Sequence, residues 1–248
     1  MEILDKVVLM TGAARIGRTV ALALALRGAD IALTYRGSKS AAEETARAVR
    51  SLGRRAAALR ADLSQPAGAD GAVKAALRTL GGVDVLVHMA SVYAPTPRRT
   101  MEKNPSAADG GPAAVDLAAG RRLALRCAPV MRRRGGGRIV LFSDWTAAGG
   151  RPRYRDFLPY YVAKAGVKAL TEALALELAP DILVNAVAPG PILPPPGLGR
   201  AADREVLRAT PLGRWGGTEE IAKAVLFFIE SDFVTGECLR VDGGRHLF

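Results

Sequence analysis

Strand-length apolar runs alternate with helix-length amphipathic stretches along the whole chain, and few folds accommodate such an order. Strands separated by helices of this length pair in parallel through crossover connections. The sequence therefore predicts an α/β fold, a doubly wound parallel sheet with helices on both faces. The predicted strands are Lys6–Thr11, Ile31–Tyr35, Ala56–Arg60, Val83–His88, Arg138–Phe142, Ile182–Ala186 and Leu239–Val241. The predicted helices are Arg18–Arg27, Ser40–Leu52, Pro66–Leu80, Ala113–Arg133, Tyr160–Leu178 and Thr218–Ile229, with a short helical region after the proline-rich loop Pro189–Gly199.

The chain shows no linker, internal repeat or low-complexity segment, so we expect residues 1–248 to form one domain. With 248 residues and 49% hydrophobic side chains it can bury a large core, which excludes general disorder. One irregularity is expected in the fourth predicted helix. Pro129 lacks a backbone donor there, and we expect it to kink the helix or end it early.

Cysteine content and the first residues favour a cytoplasmic protein. Cys127 and Cys238 are too few for a disulfide framework or a metal-ligand cluster, so we expect both to be inert and buried, and we expect no metal. Met1-Glu2 leads directly into an apolar run, without the basic segment that begins a secretory signal. No uninterrupted apolar run reaches the roughly 20 residues that a bilayer span needs, so we expect no membrane partner.

The chain has 35 basic and 24 acidic side chains, and the resulting formal charge of +11 raises the question of nucleic-acid binding. A nucleic-acid groove combines clustered basic residues with interleaved aromatic side chains for base stacking. Here the basic doublets and the triplet Arg132-Arg133-Arg134 are scattered, and they are not interleaved with aromatic residues. We therefore expect no nucleic-acid partner and assign most of the charge to surface arginines.

A turn with two glycines, Thr11–Gly17, connects the first predicted strand to the first predicted helix. At this position a doubly wound fold binds a pyrophosphate, because backbone N–H groups at a helix N-terminus attract the anion and glycines let it approach. Gly12, Ile16 and Gly17 are the candidate contacts, and Arg15 can supply a cation. Alone, such a turn is often only a tight connection.

Residues at the ends of the second and third strands favour NADPH as cofactor. Tyr35, Arg36 and Ser38 stand where an NADH-binding chain usually has a carboxylate for the ribose diol. Arg36 can pair with a 2′-phosphate instead, although in isolation a solvated surface arginine would be the default interpretation. Asp62, followed by Leu63, suits an adenine-edge acceptor, with a helix-capping role as the alternative.

Tyr160 and Lys164 stand four residues apart at the start of a predicted helix, so both side chains project from one face. An ammonium beside a phenol is expected to lower the pKa of the phenol toward the working pH, as a proton donor requires. Upstream, at the end of the fifth predicted strand, lies Ser143-Asp144. These residues are the candidate catalytic groups.

The sequence resembles the short-chain dehydrogenase/reductase family over nearly its whole length. The matching segments are Thr11–Gly17, Asp62-Leu63, His88–Ser91, Tyr160–Lys164, Asn185–Gly190 and Val241–Gly244. The resemblance implies a Rossmann-type sheet in the order 3-2-1-4-5-6-7, a nicotinamide cofactor, hydride transfer to a small molecule, and a homotetramer or homodimer. We expect the homotetramer.

Within that family, the chain is similar to the pteridine reductases. Asp144 stands where most members have a catalytic serine, and the loop Ala90–Pro97 resembles one in which an aromatic residue, here Tyr93, stacks on the pterin. The resemblance implies hydride transfer to a C=N carbon, with the proton coming from Tyr160 or through Asp144. The implied substrate contacts are Arg15, Ser91, Tyr93, Asp144 and Tyr160. The implied cofactor contacts are Gly12, Arg15, Ile16, Gly17, Tyr35, Arg36, Ser38, Asp62, Leu63, Ala90, Ser91, Tyr160, Lys164, Pro189, Gly190 and Ile192.

The chain also departs from the family pattern. Its glycine turn is one residue short, His88-Met89 replaces an asparagine pair, and Asp116 replaces another asparagine. An insertion around Arg151–Asp156 is expected to shape the substrate mouth, and Trp145 is assigned either to the pocket or to the core.

Two other functions remain open. One is an NADPH-dependent carbonyl or 3-oxoacyl thioester reductase, in which Asp144 merely replaces serine and the basic surface receives an acidic carrier protein. The other is a weakly active cofactor-binding or sensing protein, which the presence of both Tyr160 and Lys164 disfavours.

Overall fold

The computed structural model describes residues 1–108, 110–150 and 152–247 and confirms the predicted fold class. A seven-stranded, all-parallel sheet runs in the order β3-β2-β1-β4-β5-β6-β7. Its strands are β1 Val7–Thr11, β2 Asp30–Tyr35, β3 Ala56–Arg60, β4 Val85–His88, β5 Gly137–Phe142, β6 Ile182–Pro189 and β7 Cys238–Val241. The largest difference from the predicted bounds is in β6, which extends three residues further, to Pro189.

Helices flank the sheet on both faces, as predicted. They are α1 Ile16–Leu26, α2 Lys39–Ser51, α3 Pro66–Leu80, α4 Arg98–Lys103, α5 Ala119–Arg133, α6 Trp145–Ala148, α7 Leu158–Leu178, α8 Arg200–Arg208 and α9 Thr218–Glu230. A π-helical segment, Ala113–Ala118, precedes α5, and 3₁₀ turns cover Pro105–Ala108 and Arg245–Leu247. The sequence analysis missed the short helices α4 and α6.

The expectation that Pro129 ends its helix early is wrong, because α5 continues to Arg133. Pro129 lies on the exposed side of α5, where water can reach the carbonyl that has lost its donor. The neighbouring Cys127 and Met131 are fully buried and hold the helix against the sheet on either side of the proline.

The core consists of two apolar layers, one on each face of the sheet. Alternate side chains of a strand enter opposite layers, so that Leu9 belongs to the layer under α3, α5 and α7, and Val8 to the layer under α1, α2 and α9. All strands of the sheet point the same way, which brings their carboxyl ends to one edge. In open α/β sheets this edge is where ligands bind. None of the described helices combines the length and apolar character needed to cross a membrane.

Candidate active site

A cleft of about 570 Å³ opens at the carboxyl edge of the sheet, and we call it the main cleft. Every residue that the sequence analysis proposed for cofactor, substrate or catalysis lines it. They are Gly12, Arg15, Ile16, Gly17, Tyr35, Arg36, Ser38, Asp62, Leu63, Ala90, Ser91, Tyr93, Asp144, Tyr160, Lys164, Pro189, Gly190 and Ile192. The fold therefore brings the proposed residues of seven separate segments into one place.

The glycine turn fits a bound pyrophosphate. Gly12 has a φ of 85°, and a Cβ on it would lie 3.2 Å from the backbone nitrogen of Ala90, while a Cβ on Gly17 would lie 1.8 Å from the Gly12 carbonyl oxygen. The turn is one residue short and closes with Arg15 in a left-handed conformation, at a φ of 52°. Helix α1 then begins without an acidic residue or a side-chain cap, so its positive end faces the cleft uncompensated.

At the other end of the main cleft, Arg36 is exposed and Asp62 is held by Ser64. Asp62 Oδ1 accepts hydrogen bonds from the Ser64 backbone nitrogen at 3.0 Å and from Ser64 Oγ at 2.7 Å. These bonds lower the pKa of Asp62, and the nearby charge of Arg36 lowers it further. Asp62 does not cap the following helix, which starts at Pro66 behind Gln65 with no side-chain cap, so the capping alternative is wrong.

Asp144 and Tyr160 form a hydrogen-bonded pair in the centre of the main cleft. Tyr160 donates its hydroxyl proton to Asp144 Oδ2 at 3.0 Å. Asp144 Oδ1 accepts from the backbone nitrogen of Thr146 at 2.8 Å and from Thr146 Oγ1 at 2.6 Å, which makes Asp144 the N-cap of α6. The sequence analysis missed Thr146, although an Asp followed by a Thr two residues later is a recognisable capping pattern.

The expected lowering of the Tyr160 pKa is wrong. Burial raises the pKa of Tyr160 above its usual value, and the charge of Asp144 and its hydrogen bond raise it further. Lys164 does little to lower the Tyr160 pKa, because its charge is directed to other groups. Its ammonium donates to the Phe142 carbonyl at 2.8 Å and lies 2.7 Å from Asp116 Oδ1. In this arrangement Lys164 Nζ is 5.6 Å from the centre of the Tyr160 ring.

Asp116 is the buried partner of Lys164 and lies in the π-helical segment. Its Oδ2 also accepts from the backbone nitrogen of Val92 at 3.2 Å, so one carboxylate contacts both the lysine and the loop that carries Tyr93. The sequence analysis noted Asp116 as a departure from the family pattern and did not assign it this contact. The sequence signal for this contact was the carboxylate of Asp116 at a position where the family pattern has an asparagine amide.

His88 is a buried residue held by hydrogen bonds on both ring nitrogens. Its Nε2 donates to the Val115 carbonyl at 2.9 Å, and its Nδ1 accepts from Thr11 Oγ1 at 2.9 Å, since that hydroxyl oxygen already accepts from the backbone nitrogens of Met89 and Ala90. Burial lowers the pKa of His88. The neutral imidazole therefore ties the glycine turn to the strand end beside it.

Aromatic side chains form the outer wall of the main cleft. Tyr93 is 59% exposed, stacks on Phe157 with ring centres 4.7 Å apart, and meets the Tyr160 ring edge-on at 4.9 Å. Tyr93 is thus a surface residue at the mouth and not part of the core. Phe157 was not among the predicted contacts, and it directly follows the insertion predicted around Arg151–Asp156. Arg151, the first residue of that insertion, lies outside the described residues.

Ser143 does not lie at the position next to the Tyr160 hydroxyl, although a serine there could take part in catalysis. It is buried, and its hydroxyl donates to the Lys164 backbone carbonyl at 2.8 Å. The position that faces Tyr160 is filled by Asp144.

Comparison with known proteins decides the family. Residues 12–246 match a family model described as enoyl-(acyl carrier protein) reductase. A 3β-hydroxysteroid dehydrogenase 1 of Eggerthella lenta is 34% identical over 100% of this chain and 96% of its own. The 3-oxoacyl-(acyl-carrier-protein) reductase FabG of Staphylococcus aureus is 31% identical over 98% of this chain and 99% of its own. A solved structure of FolM alternative dihydrofolate reductase 1 from Brucella canis, complexed with NADP, has a TM-score of 0.89 and 30% identity, and covers 100% of this chain and 97% of that one.

The chain belongs to the short-chain dehydrogenase/reductase family. It is an NAD(P)-dependent oxidoreductase of that family, and its Rossmann-like sheet is shared with the solved structures. The relatives' names cover a steroid, an acyl thioester and dihydrofolate, so membership of the short-chain dehydrogenase/reductase family defines the reaction type and leaves the substrate to be argued from the site.

The other candidate groups in this family member lie outside its main cleft. Trp145 is buried and lines a neighbouring cavity, and His246 pairs with Asp242 at 2.7 Å. Burial raises the pKa of the Cys127 thiol to about 12 and that of Cys238 to about 11, although Cys238 is only partly buried. The described residues contain no group of His, Cys, Asp and Glu suited to a metal ion.

Proposed function

We propose that the protein is an NADPH-dependent reductase of a pterin, of the dihydropterin or dihydrofolate type, with Tyr160 as proton donor. The observation that carries this proposal is the Tyr160–Asp144 hydrogen bond of 3.0 Å beside the ring of Tyr93. A pterin is flat and carries several N–H donors at its edge. A carboxylate and an aromatic face in one pocket complement both properties.

The residues of the main cleft can hold NADPH along its length. The turn Gly12–Gly17 suits the pyrophosphate, Arg36 and Arg15 suit the 2′-phosphate, and the loop at Pro189-Gly190 suits the nicotinamide. Lys164 has three N–H donors, of which one reaches the Phe142 carbonyl, while its ammonium forms an ion pair with Asp116, so a further donor is available to a ribose hydroxyl. Bound in this way, NADPH supplies the hydride for the reduction.

Tyr160 is suited to deliver the proton to the ring nitrogen next to the reduced carbon. Because its pKa is raised, the phenol stays protonated until hydride transfer makes the ring nitrogen basic enough to take the proton, and the hydrogen bond to Asp144 holds the hydroxyl in place until then. General acid assistance of this type contributes about 10²–10⁴-fold to the rate. Asp144 orients Tyr160 and accepts hydrogen bonds from the substrate edge.

The 31% identity to the FabG reductase supports a second candidate, reduction of a 3-oxoacyl thioester or another carbonyl compound. Asp144 weighs against it. A reduced carbonyl develops negative charge on its oxygen beside Tyr160, and a carboxylate at that place repels such charge. A pterin edge offers N–H donors to the same carboxylate, which a carbonyl group does not.

The test is NADPH oxidation by the purified protein with dihydrobiopterin, dihydrofolate, a 3-oxoacyl thioester and a simple ketone. We expect turnover of the pterins and weak or no turnover of the carbonyl compounds. Turnover of ketones without pterins contradicts the proposal and favours the second candidate. Tight NADPH binding without any turnover favours a sensing protein.

We also propose that the chain forms one domain and assembles as a homotetramer in the cytoplasm. Large apolar side chains exposed on separate helices support assembly, among them Leu125 on α5, Leu176 on α7 and Phe227 on α9. Sedimentation analysis tests this, since a monomeric species at micromolar concentration contradicts it.

A further inference from the structure

The loop Ala90–Pro97, which carries Tyr93, meets the segment just before α7 at two consecutive residues, Asp156 and Phe157. Asp156 is the last residue of the predicted insertion, and Phe157 directly precedes α7. We call the contacts of these two residues with the loop and its end the mouth latch. The mouth latch joins a loop of the main cleft to the helix that carries the proposed proton donor.

Asp156 accepts from both backbone donors that the end of this loop offers. Pro95 and Pro97 have no N–H group, so within positions 95 to 98 only Thr96 and Arg98 can donate from the backbone. The Thr96 nitrogen donates to the Asp156 carbonyl oxygen at 2.6 Å, and the Arg98 nitrogen donates to Asp156 Oδ1 at 3.3 Å. The carboxylate also stands at the start of α4, where a negative charge is favourable. One residue therefore holds the end of the loop together with the helix that follows it.

The backbone of Asp156 suits an aspartate. Its φ is 63°, in the left-handed region, which Asp, Asn and Gly adopt more readily than other residues. The side chain is exposed, so a change there leaves the core untouched. Asn and Gly can therefore replace Asp156 without straining the chain, which makes the contact of its carboxylate testable on its own.

Phe157 supports the ring of Tyr93 from behind. The two rings stack with their centres 4.7 Å apart and their planes 22° apart. The backbone of Phe157 is fixed to α7, because its carbonyl accepts from the Tyr161 nitrogen at 2.8 Å. Among the described residues, Tyr93 lines the main cleft and Phe157 does not. An effect of Phe157 on a ligand in the cleft is therefore indirect.

The start of the same loop is held independently of the mouth latch. The Val92 nitrogen donates to Oδ2 of the buried Asp116 at 3.2 Å. Tyr93 thus lies between two fixed points, with one face on Phe157 and with the Tyr160 ring edge-on at 4.9 Å. A ring that is already held in one orientation loses little freedom when a ligand stacks on it, and this raises affinity for the ligand.

We propose that Asp156 and Phe157 are positioning residues, which hold Tyr93 at the mouth of the main cleft before a ligand binds and thereby favour a flat aromatic substrate over an aliphatic one. Phe157 covers one face of the Tyr93 ring, so a ligand stacks on the other face. An aromatic pair of this kind contributes about two- to tenfold to affinity, and an aliphatic chain does not gain it. The preference for a flat ring rests on the proposed pterin reduction, whereas the hold on the loop depends on no reaction.

Limited digestion with trypsin measures the hold on the loop without any turnover. Arg98 and Arg99 provide cleavage sites directly after the loop, and the exposed Arg36 provides a reference site in the same chain. We expect Asp156→Gly to speed cleavage after Arg98 and Arg99 about tenfold relative to cleavage after Arg36. The loop end then loses a charge-assisted hydrogen bond and gains backbone freedom, and cleavage follows the population of the open loop.

Two further variants show whether the Asp156 carboxylate is responsible. Asp156→Asn keeps an acceptor oxygen and the left-handed conformation, so its cleavage rate should stay near that of the wild type. Asp5→Gly replaces another exposed aspartate with a positive φ, 58°, which does not line the main cleft, and it should change nothing at Arg98. Equal cleavage of the wild type and Asp156→Gly would overturn the hold assigned to Asp156.

Calorimetric titration of the protein with dihydrobiopterin, in the presence of saturating NADP, tests the role of Phe157. Phe157→Leu should weaken pterin binding about two- to tenfold and leave NADPH affinity unchanged. Phe157→Tyr keeps an aromatic ring and should bind as the wild type does. Phe233→Leu, at a fully exposed phenylalanine that does not line the main cleft, is the matched control and should have no effect.

A double substitution shows whether Phe157 acts through Tyr93. In a Tyr93→Ala chain, Phe157→Leu should weaken pterin binding no further, because the ring that it supports is absent. The same loss in the wild-type and Tyr93→Ala backgrounds would overturn the positioning role, since it would show that Phe157 acts on the ligand or on the fold by another route.

Kinetics then separate this proposal from the proposed function. In Phe157→Leu we expect the KM for dihydrobiopterin to rise about two- to tenfold with kcat nearly unchanged, because the proposed proton donor is intact. A lower kcat with an unchanged KM overturns the positioning role and leaves pterin reduction in place. If the wild type neither binds nor reduces a pterin, the proposed function and the preference for a flat ring both fail. The trypsin digestion alone then upholds or overturns the hold of the mouth latch on the loop.

Discussion

The ammonium of Lys164 lies 2.7 Å from the carboxylate of Asp116, and their side chains are only 4% and 1% exposed. This pair explains why Lys164 does not lower the Tyr160 pKa as the i, i+4 spacing suggested. The lysine's charge is largely neutralised by a partner from another segment. The same Asp116 carboxylate contacts the loop that carries Tyr93, so the pair connects α7 to the loop at the mouth of the main cleft.

Replacing Asp116 with Asn should destabilise the protein by about 3 kcal/mol, because it leaves a buried ammonium without its counter-charge. Urea unfolding measures the change. Adding Lys164→Met to the same chain should cost less than the sum of the two single substitutions. Glu172→Gln, which breaks the exposed Lys168–Glu172 pair on α7, is the matched control and should cost less than about 1 kcal/mol. Additive effects at Asp116 and Lys164 would show that the buried pair does not act as a unit.

Replacing Asp144 with Asn should lower the Tyr160 pKa, because the charge that disfavours the phenolate is gone. Loss of activity at alkaline pH, where Tyr160 loses its proton, should then begin at a lower pH than in the wild type. The pterin KM should rise about tenfold with the loss of a charged acceptor. Rate profiles across pH measure both effects. An unchanged alkaline limit contradicts the role assigned to Asp144, and Tyr160→Phe, expected to lower kcat by about 10²–10⁴-fold, serves as reference.

Arg36→Ala should raise the KM for NADPH by more than about tenfold and that for NADH little, because only NADPH carries the 2′-phosphate. Steady-state kinetics with both cofactors measure the ratio. Arg47→Ala removes an exposed arginine of α2 that does not line the main cleft, and it should change neither value. Equal effects of Arg36→Ala on the two cofactors would remove the 2′-phosphate role.

Tyr93→Ala should weaken pterin binding while leaving NADPH affinity nearly unchanged, because the ring lies at the mouth and stacks on Phe157. Loss of one stacking partner is expected to raise the pterin KM about tenfold. Kinetics and an NADPH titration on the same sample measure the two quantities. Since the side chain is more than half exposed, the melting temperature should stay within a few degrees of the wild type. Unfolding of this variant would show that the Tyr93 side chain is needed for packing, and it would contradict the stacking role.

The sheet was predictable because its signal is local. Each strand is a short apolar run followed by a helix-length stretch, which predicts parallel strands, and the strand order came from the resemblance to the short-chain dehydrogenase/reductase family. The segments of the main cleft were predictable for the same reason, since parallel strands bring their carboxyl ends to one edge. The residues proposed to bind ligands there were chosen from motifs and their spacing in this chain.

The direction of the Tyr160 pKa shift was not predictable in the same way, because it depends on contacts between distant segments. Lys164 and Asp116 are far apart in the sequence, and the π-helical segment that carries Asp116 gives no strong local signal.

Replacing His88 with Asn should reduce the loss of stability at acid pH. Burial holds the native pKa of His88 below its usual value of about 6.5, so the unfolded chain binds a proton below that pH while the native chain resists it. Stability from this group is therefore complete above about pH 6.5 and is lost as the pH falls toward the native pKa. The negative charge of Asp116 raises the pKa of His88 and so opposes the effect of burial, whereas the positive charge of Lys164 lowers this pKa further. Between pH 7 and pH 5 the wild type should lose up to about 2 kcal/mol more than His88→Asn.

Urea unfolding at several pH values measures this difference through the slopes of the two stability curves, which removes any constant effect of the substitution. His246→Asn retains His88 and controls for the loss of a histidine as such. A protonated His88 has no acceptor for its second N–H, because Thr11 Oγ1 already accepts from two backbone nitrogens. We therefore expect the two stability curves to diverge as the pH falls. Parallel curves for the wild type and His88→Asn would contradict the prediction, because they would mean that the native imidazole accepts a proton as readily as the unfolded one.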